Sequence, residues 1–354
     1  TLENLRFSPP RHLFGDDALP IYEPEVRVGD TRDLSDIPDN SVDLICAHPP
    51  YAGIIKYSTG IAGDLSALSV QDFLVEMGKV AEESLRVLKP GGKCAILIGD
   101  ARRSKHVVPI GFKTIRVFLD AGFSLRELVI KRQHNCRTTG FWYTRSIQHN
   151  FLLLAHEYLP VFEKPFGGRL EEQRTLWEYA IPRQVTVDKV RGIEEGNLET
   201  TTVWIFPKDR LEQEVKRNLL QRFSDHKDGK VAEVRLDGDI TTDLDQLVNL
   251  IHVRWPQYEM TEQRFIGYRD AVRKVLEQSR SRLYRDGCLV FEAIDFRSGD
   301  VLIPSGLILY EDLEAHRDFS LKEIVVVVPE ELSRSNSGVH LKVIHRYLLV
   351  YVRK

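Results

Sequence analysis

The run Asp43-Leu44-Ile45-Cys46-Ala47-His48-Pro49-Pro50-Tyr51 decides how the chain is read, because an apolar strand there runs straight into two prolines and an aromatic ring. Successive prolines lack backbone N–H groups and hold φ near about −65°, so they cannot extend a ladder and instead fix a rigid turn at the strand's end. Carbonyls at such a turn face outward without competing donors, and the Tyr51 ring follows as a flat surface. A planar group with an exocyclic amine, such as a nucleobase, fits between these parts. Three residues of this kind also serve as an ordinary strand-ending turn, so their surroundings must decide.

Upstream, Val26-Arg27-Val28 reads as a short strand ending at Gly29-Asp30, and downstream Gly53 to Ser66 is glycine-rich. Phe73, Met77, Val80, Leu85 and Leu88 recur at helical spacing, which predicts a helix over Val70 to Leu88 stopped by Lys89-Pro90-Gly91-Gly92. Cys94 to Ile98 is a strand ending at Gly99-Asp100, Ile110 to Ala121 is a helix, and Leu125 to Ile130 and Phe151 to Phe162 are strands. Alternating strands and helices predict an α/β fold with a parallel sheet, whose ligands sit at the carboxyl ends of the strands. Asp30, His48 to Tyr51 and Asp100 fall at such ends.

With 354 residues the chain is long for one domain, and 42% apolar with 29% charged residues describes a globular protein with a sizeable core. A net charge of −3 gives no global attraction to nucleic acid, so any such contact needs a local patch. Cys46, Cys94, Cys136 and Cys288 share no metal-ligand or disulfide spacing, which implies no metal and fits a reducing compartment. Thr1 to Arg11 contains no apolar signal core and no run reaches membrane-span length, so the chain reads as cytoplasmic and free of membrane contact.

The order Gly29-Asp30, Ile37-Pro38-Asp39-Asn40, Asp43-Leu44-Ile45, Pro49-Pro50-Tyr51, a helix, then Leu88-Lys89-Pro90-Gly91-Gly92 resembles the S-adenosylmethionine-dependent amino-methyltransferases of DNA. That resemblance covers residues 25–165 and implies a Rossmann-like methyltransferase fold, S-adenosylmethionine as cofactor and DNA as partner. It implies methylation of an exocyclic amine, adenine N6 ahead of cytosine N4, in the setting of restriction-modification or defence. It also implies that Asp30, His48 and Asp100 approach the cofactor, and that His48, Pro49, Pro50 and Tyr51 form the catalytic turn. In the base-flipping chemistry of such enzymes, His48 and the Pro49 carbonyl would bond the target amine while Tyr51 stacks on the base.

Two departures qualify this expectation. His48 stands where the family places Asp, Asn or Ser; a neutral imidazole still offers one acceptor nitrogen. The glycine-rich turn F-x-G-x-G that cradles the cofactor is missing, and Pro165-Phe166-Gly167-Gly168 lacks the strand-turn-helix frame to replace it. A second protein subunit is therefore expected to supply that half of the cofactor site. A catalytically silent DNA-binding subunit and an RNA base methyltransferase remain as alternatives.

Between Ala101 and Asn150, basic residues far outnumber Asp120 and Glu127, forming a patch suited to phosphates. Arg102, Arg103, Lys105, His134, Asn135, Arg137, Phe141 and Trp142 are its candidate DNA-binding residues, the last five in an irregular loop mixing amide, guanidinium and aromatic groups.

The chain also repeats itself. Leu88, Gly92, Asp100, Pro109 and Gly111 recur at constant spacing as Leu283, Gly287, Asp295, Pro304 and Gly306. Phe123 to Val129 recurs as Phe319 to Val325, and His156-Glu157-Tyr158-Leu159 as His345-Arg346-Tyr347-Leu348. Where Pro49-Pro50-Tyr51 should reappear stands Arg254-Trp255-Pro256-Gln257-Tyr258. The expected layout is thus the methyltransferase fold present twice: a methyltransferase-like domain over residues 1–168, a linker over 169–199, and a degenerate copy over 200–354.

Overall fold

A computed structural model describes residues 25–53, 58, 61, 63–133, 139–167, 198–224, 231–236, 247–330 and 340–354. The first sheet begins with β1 (Val42–Ala47), an edge strand among the described residues, which turns Val42, Ile45 and Ala47 to the core and leaves Leu44 58% exposed. α1 (Val70–Val87) starts where the Ser69 hydroxyl accepts from the Asp72 N–H at 3.2 Å, and it buries Phe73, Met77, Val80, Ala81, Ser84 and Val87 on one face. β2 (Leu88–Ile96) lies parallel to β1, followed by β3 (Ile98–Gly99), the hairpin β4 (Ala101–Arg103) and β5 (His106–Val108), and α2 (Ile110–Asp120). β6 (Ser124–Arg132), α3 (Thr139–Gln148) and β7 (His156–Glu163) complete this half, with β7 antiparallel between β2 and β3 on one side and β6 on the other.

Three expectations change. Residues 25–30 form no strand, and Val26 and Val28 stand exposed, so Asp30 does not end a strand. Lys89-Pro90-Gly91-Gly92 lies inside β2 as a bulge: the pairing with β1 slips between Val42 and Leu44. Gly91 sits at φ +80°, and a Cβ on Gly92 would meet the Lys89 carbonyl at 2.8 Å, so both positions require glycine. Phe141 and Trp142 fall in α3 rather than in an irregular loop; residues 134–138 lie outside the described residues.

The second half opens with β8 (Val203–Phe206), α4 (Leu211–Phe223) and β9 (Val231–Arg235). β10 (Val248–Arg254), α5 (Glu262–Arg282), β11 (Leu283–Ala293), the hairpin β12 (Phe296–Ser298) and β13 (Val301–Ile303), α6 (Ser305–Glu314), β14 (Phe319–Pro329) and β15 (Arg346–Arg353) then follow the order of the first half. β10 pairs parallel with β11, and the register slips between Val248 and Leu250, the same step at which β1 slips against β2. A Cβ on Gly287 would lie 2.8 Å from the Tyr284 carbonyl, matching Gly92. β6 and β14 share a bulge as well, before Glu127 and Glu323 respectively.

Contacts between the halves are reciprocal. Arg102 on β4 grips Glu323 at 2.9 and 2.5 Å, and Arg297, in the matching place on β12, grips Glu127. Arg116 on α2 meets Glu311 on α6 at 2.7 and 2.6 Å, and the Phe112 ring lies 5.6 Å from that of Tyr347. The Arg102–Glu323 and Arg297–Glu127 pairs join repeat-matched positions crosswise, and Arg116 meets Glu311 at its own repeat-matched position. Among the described residues no helix is long and apolar enough to cross a membrane, and no cluster of acids, histidines and cysteines could hold a metal ion.

Candidate active site

The site lies where the β1–β2 pair ends, with Ala47 opposite Ile96. The Ala47 carbonyl still accepts from the Leu97 N–H at 2.9 Å, but Pro49 and Pro50 have no N–H to offer, so the chain leaves the ladder there. His48 is left with its side chain 49% exposed, whereas Pro49, Pro50 and Tyr51 are half-buried.

Tyr51 turns back across β3. A Cβ on Gly99 would lie 3.0 Å from Cε1 of Tyr51, so glycine there lets one edge of the ring rest on the strand. At its far end the Tyr51 hydroxyl donates to the Glu157 carboxylate, which β7 carries in from the antiparallel side. His48 Nε2 stands 3.4 Å from the Tyr51 hydroxyl and 3.9 Å from Glu157 Oε1, and the two rings meet edge-on at 5.6 Å. Lys131 Nζ on β6 donates to the other carboxylate oxygen at 2.7 Å.

Glu157 is only 4% exposed, and burial alone would push its carboxyl up. Hydrogen bonds from Lys131, Tyr51 and Gln133 outweigh that and hold it below the usual carboxylate value, so it sits in the site as an anion. An exposed imidazole, a fixed aromatic ring and a buried anion therefore converge at the end of β1. Such a group can accept a hydrogen from an amine and offer a flat apolar face beside it.

Other expected site residues go elsewhere. Asp100 is buried: its carboxylate accepts from the Gly111 N–H at 2.9 Å, holding the start of α2, and from the Tyr158 hydroxyl at 3.2 Å. Burial pushes this carboxyl up to about 7, against those two hydrogen bonds. Both carboxylate oxygens of Asp100, expected to approach the cofactor, thus meet partners inside the fold. Asp30 pairs with Arg32, whose guanidinium holds it down to about 2 and also reaches Glu76 on α1 at 2.5 Å. Arg102, expected to contact DNA, donates to the wholly buried Glu323 at 2.9 and 2.5 Å.

Arg103 is exposed and reaches close to the turn after Tyr51, where a Cβ on Gly53 would meet its guanidinium at 3.1 Å. Lys105 is exposed at the tip of the β4–β5 hairpin. Trp142 is 41% exposed on α3 with the Arg145 guanidinium 5.4 Å from its ring centroid. His134, Asn135 and Arg137, and the side chain of Phe141, lie outside the described residues.

Sequence reading passed over Glu157 and Gly99. Glu157 could have been found in the repeat, as the position that changes to Arg346 between two retained neighbours.

The parallel pair β1–β2, returned by antiparallel β7 and β6 and ending in a Pro-Pro-aromatic turn, defines a Rossmann-like methyltransferase fold. No protein-family model matches the chain. It is 27% identical over 167 residues to the type II methyltransferase M.MthZI of Methanothermobacter thermautotrophicus, covering 41% of this chain and 46% of that protein. It is 29% identical over 137 residues to the type II methyltransferase M.BglII of Bacillus subtilis, covering 35% and 36%. A candidate DNA modification methylase from Thermus thermophilus overlaps 43% of this chain and 58% of its own length at 27% identity and a TM-score of 0.30. Over the matched residues the chain is similar to type II DNA methyltransferases, and it spans less than half the length of the curated relatives it matches.

Proposed function

We propose that this chain carries the target-base half of a DNA amino-methyltransferase, which transfers the methyl group of S-adenosylmethionine to an exocyclic amine, with adenine N6 as the first substrate to test. The observation that carries the reading is the convergence of His48, Tyr51 and Glu157 at the end of β1. In this reading the flipped base stacks on the Tyr51 ring, while His48 and the Pro49 carbonyl accept hydrogens from its amine and turn the nitrogen lone pair toward the methyl donor. Arg103 and the α3 surface with Trp142 and Arg145 lie against the DNA.

Among the described residues, those expected to meet the cofactor are bonded within the chain. Asp30 is tied to Arg32, Asp100 is committed to Gly111 and Tyr158, and the sequence has no F-x-G-x-G turn. The reading therefore places the rest of the cofactor site outside these 354 residues, on a second subunit, and treats residues 200–354 as a degenerate copy docked against the first domain.

The test uses the chain with whatever partner co-purifies from its host. Methyl transfer to unmethylated genomic DNA should be abolished by Tyr51→Ala and by Pro49→Ala while the assembly stays intact. Undiminished transfer by both variants would make this the silent subunit. Base mapping of the product separates adenine N6, cytosine N4 and RNA targets. Calorimetry of the chain alone with S-adenosylmethionine should show no micromolar binding; micromolar binding would remove the need for a second subunit.

A further inference from the structure

We infer that Glu157 is the positioning residue of the base site: by holding the Tyr51 hydroxyl, it fixes where the ring on which the base is to stack lies. The inference rests on the proposed function and adds to it a residue on a different strand, far from the Pro-Pro-Tyr turn in sequence.

Geometry supplies the first argument. A tyrosine side chain can swing between χ1 rotamers unless its far end is held. One edge of Tyr51 lies on Gly99, and the hydroxyl is taken by Glu157, itself clamped by Lys131 at 2.7 Å and by Gln133. A buried carboxylate is costly to maintain, and a purely structural strand position would favour an apolar side chain. Here the anion accepts hydrogen bonds from the phenol on one side and the ammonium on the other, which marks it as a purposeful anchor.

The second half supplies an independent argument, as an internal comparison. Counting along the shared β1–β2 and β10–β11 registers, His48 corresponds to Arg254 and Tyr51 to Gln257. On the matching return strands, His156 corresponds to His345 and Tyr158 to Tyr347, with imidazole and phenol edge-on at 4.9 and 5.0 Å in the two halves. Glu157, between those two retained residues, corresponds to Arg346. Where the phenol is gone, its anchor is gone too, although the framework on both sides of the anchor is kept. A residue serving only the fold would have stayed with its neighbours.

Two measurements test this on the full chain. The first needs neither cofactor nor DNA. With 3-fluorotyrosine incorporated, the ¹⁹F resonance missing from Tyr51→Phe is that of Tyr51. It should be a single line in the wild type and should broaden or move toward the solvent-exposed position in Glu157→Gln. A Tyr51 resonance unaltered by Glu157→Gln overturns the inference. The second is a double-mutant cycle on methyl transfer by the partnered protein. Tyr51→Phe and Glu157→Gln should each lower kcat about tenfold with KM little changed, and the double variant should be no worse than either. Losses that multiply in the double variant would give Glu157 a role independent of Tyr51 and also overturn the inference. Lys131→Gln, at a half-exposed position, should give a smaller change of the same kind and covers the case in which Glu157→Gln does not fold. If the wild type transfers no methyl group, the proposed function falls, and the fluorine spectrum still decides whether Glu157 holds the ring.

Discussion

Asp100 is a buried acid whose ionisation should be visible in the stability of the whole fold. Its carboxyl is pushed up to about 7 by burial, against hydrogen bonds from Gly111 and Tyr158. In the unfolded chain the same group titrates near the ordinary aspartate value of about 3.9. A folded-state value raised above the unfolded one means that the protonated form is favoured by folding. The stabilisation linked to it is fully present below about pH 4 and disappears as pH rises through about 7. Three units at about 1.4 kcal/mol each give about 4 kcal/mol in total, of which about 2.5 kcal/mol is lost between pH 5 and 7.5. Asp100→Asn keeps an oxygen for the Gly111 N–H and offers an N–H to the Tyr158 hydroxyl, but it cannot ionise. Urea titrations of both proteins at pH 5 and 7.5 should show the wild type losing about 2.5 kcal/mol more than the variant over that interval. Other titrating groups, such as the buried Glu323, act alike in both proteins and cancel in the difference. Equal losses in the two proteins would refute the reasoning, because Asp100 would then have to be ionised throughout in the folded state.

Gly111→Ala would place a methyl 2.2 Å from the Tyr158 ring, and Gly306→Ala one 2.6 Å from Tyr347. Both should lower the urea midpoint, by about 1–3 kcal/mol or more, with the Gly111 variant the worse of the two; an unchanged midpoint in either would show that the tyrosine has room to move. Arg116 and Glu311 face each other across the junction of α2 and α6. Arg116→Glu and Glu311→Arg should each cost about 1 kcal/mol, and the double swap should recover most of the loss; additive costs in the double variant would count against a direct pair.

The helices α1 and α2 were legible because apolar periodicity persisted over many residues: Phe73, Met77 and Val80 recur every turn of α1. The strand over Val26 to Val28 was misread because alternation alone does not supply a partner, and the residues beside β1 stand exposed instead. Lys89-Pro90-Gly91-Gly92 was placed correctly as a break but assigned to the wrong side of it, since a helix stop and a strand bulge use the same glycines. The internal partners of Asp100 and Arg102, Gly111 and Glu323, were not legible because they are brought to them only by tertiary packing. Glu157 was missed because nothing local to β7 announces the Tyr51 hydroxyl, and only its replacement by Arg346 in the repeat marks it.

One framework accommodates two opposite strand ends. At the end of β10, Arg254 stands where β1 is followed by His48, and its guanidinium lies 3.2 Å from the buried Glu292. Glu292 also takes His252 at 3.0 Å and the Trp255 N–H at 3.0 Å, and Arg346 stands 3.5 Å away. Burial would push the Glu292 carboxyl up, but Arg346, His252 and Arg254 overcome this and hold it well down. Charges locked together in this way leave no acceptor for an incoming amine, and removing any one of them would strand the rest. At the end of β1 the matching positions carry a half-exposed imidazole and a phenol tied to a single anion. The bulged parallel pair, the glycine of its turn and the Asp–Tyr–His framework are alike in both halves, so none of them dictates which arrangement appears. The open arrangement around His48, Tyr51 and Glu157 is therefore set by those residues themselves and not by the framework the two halves share.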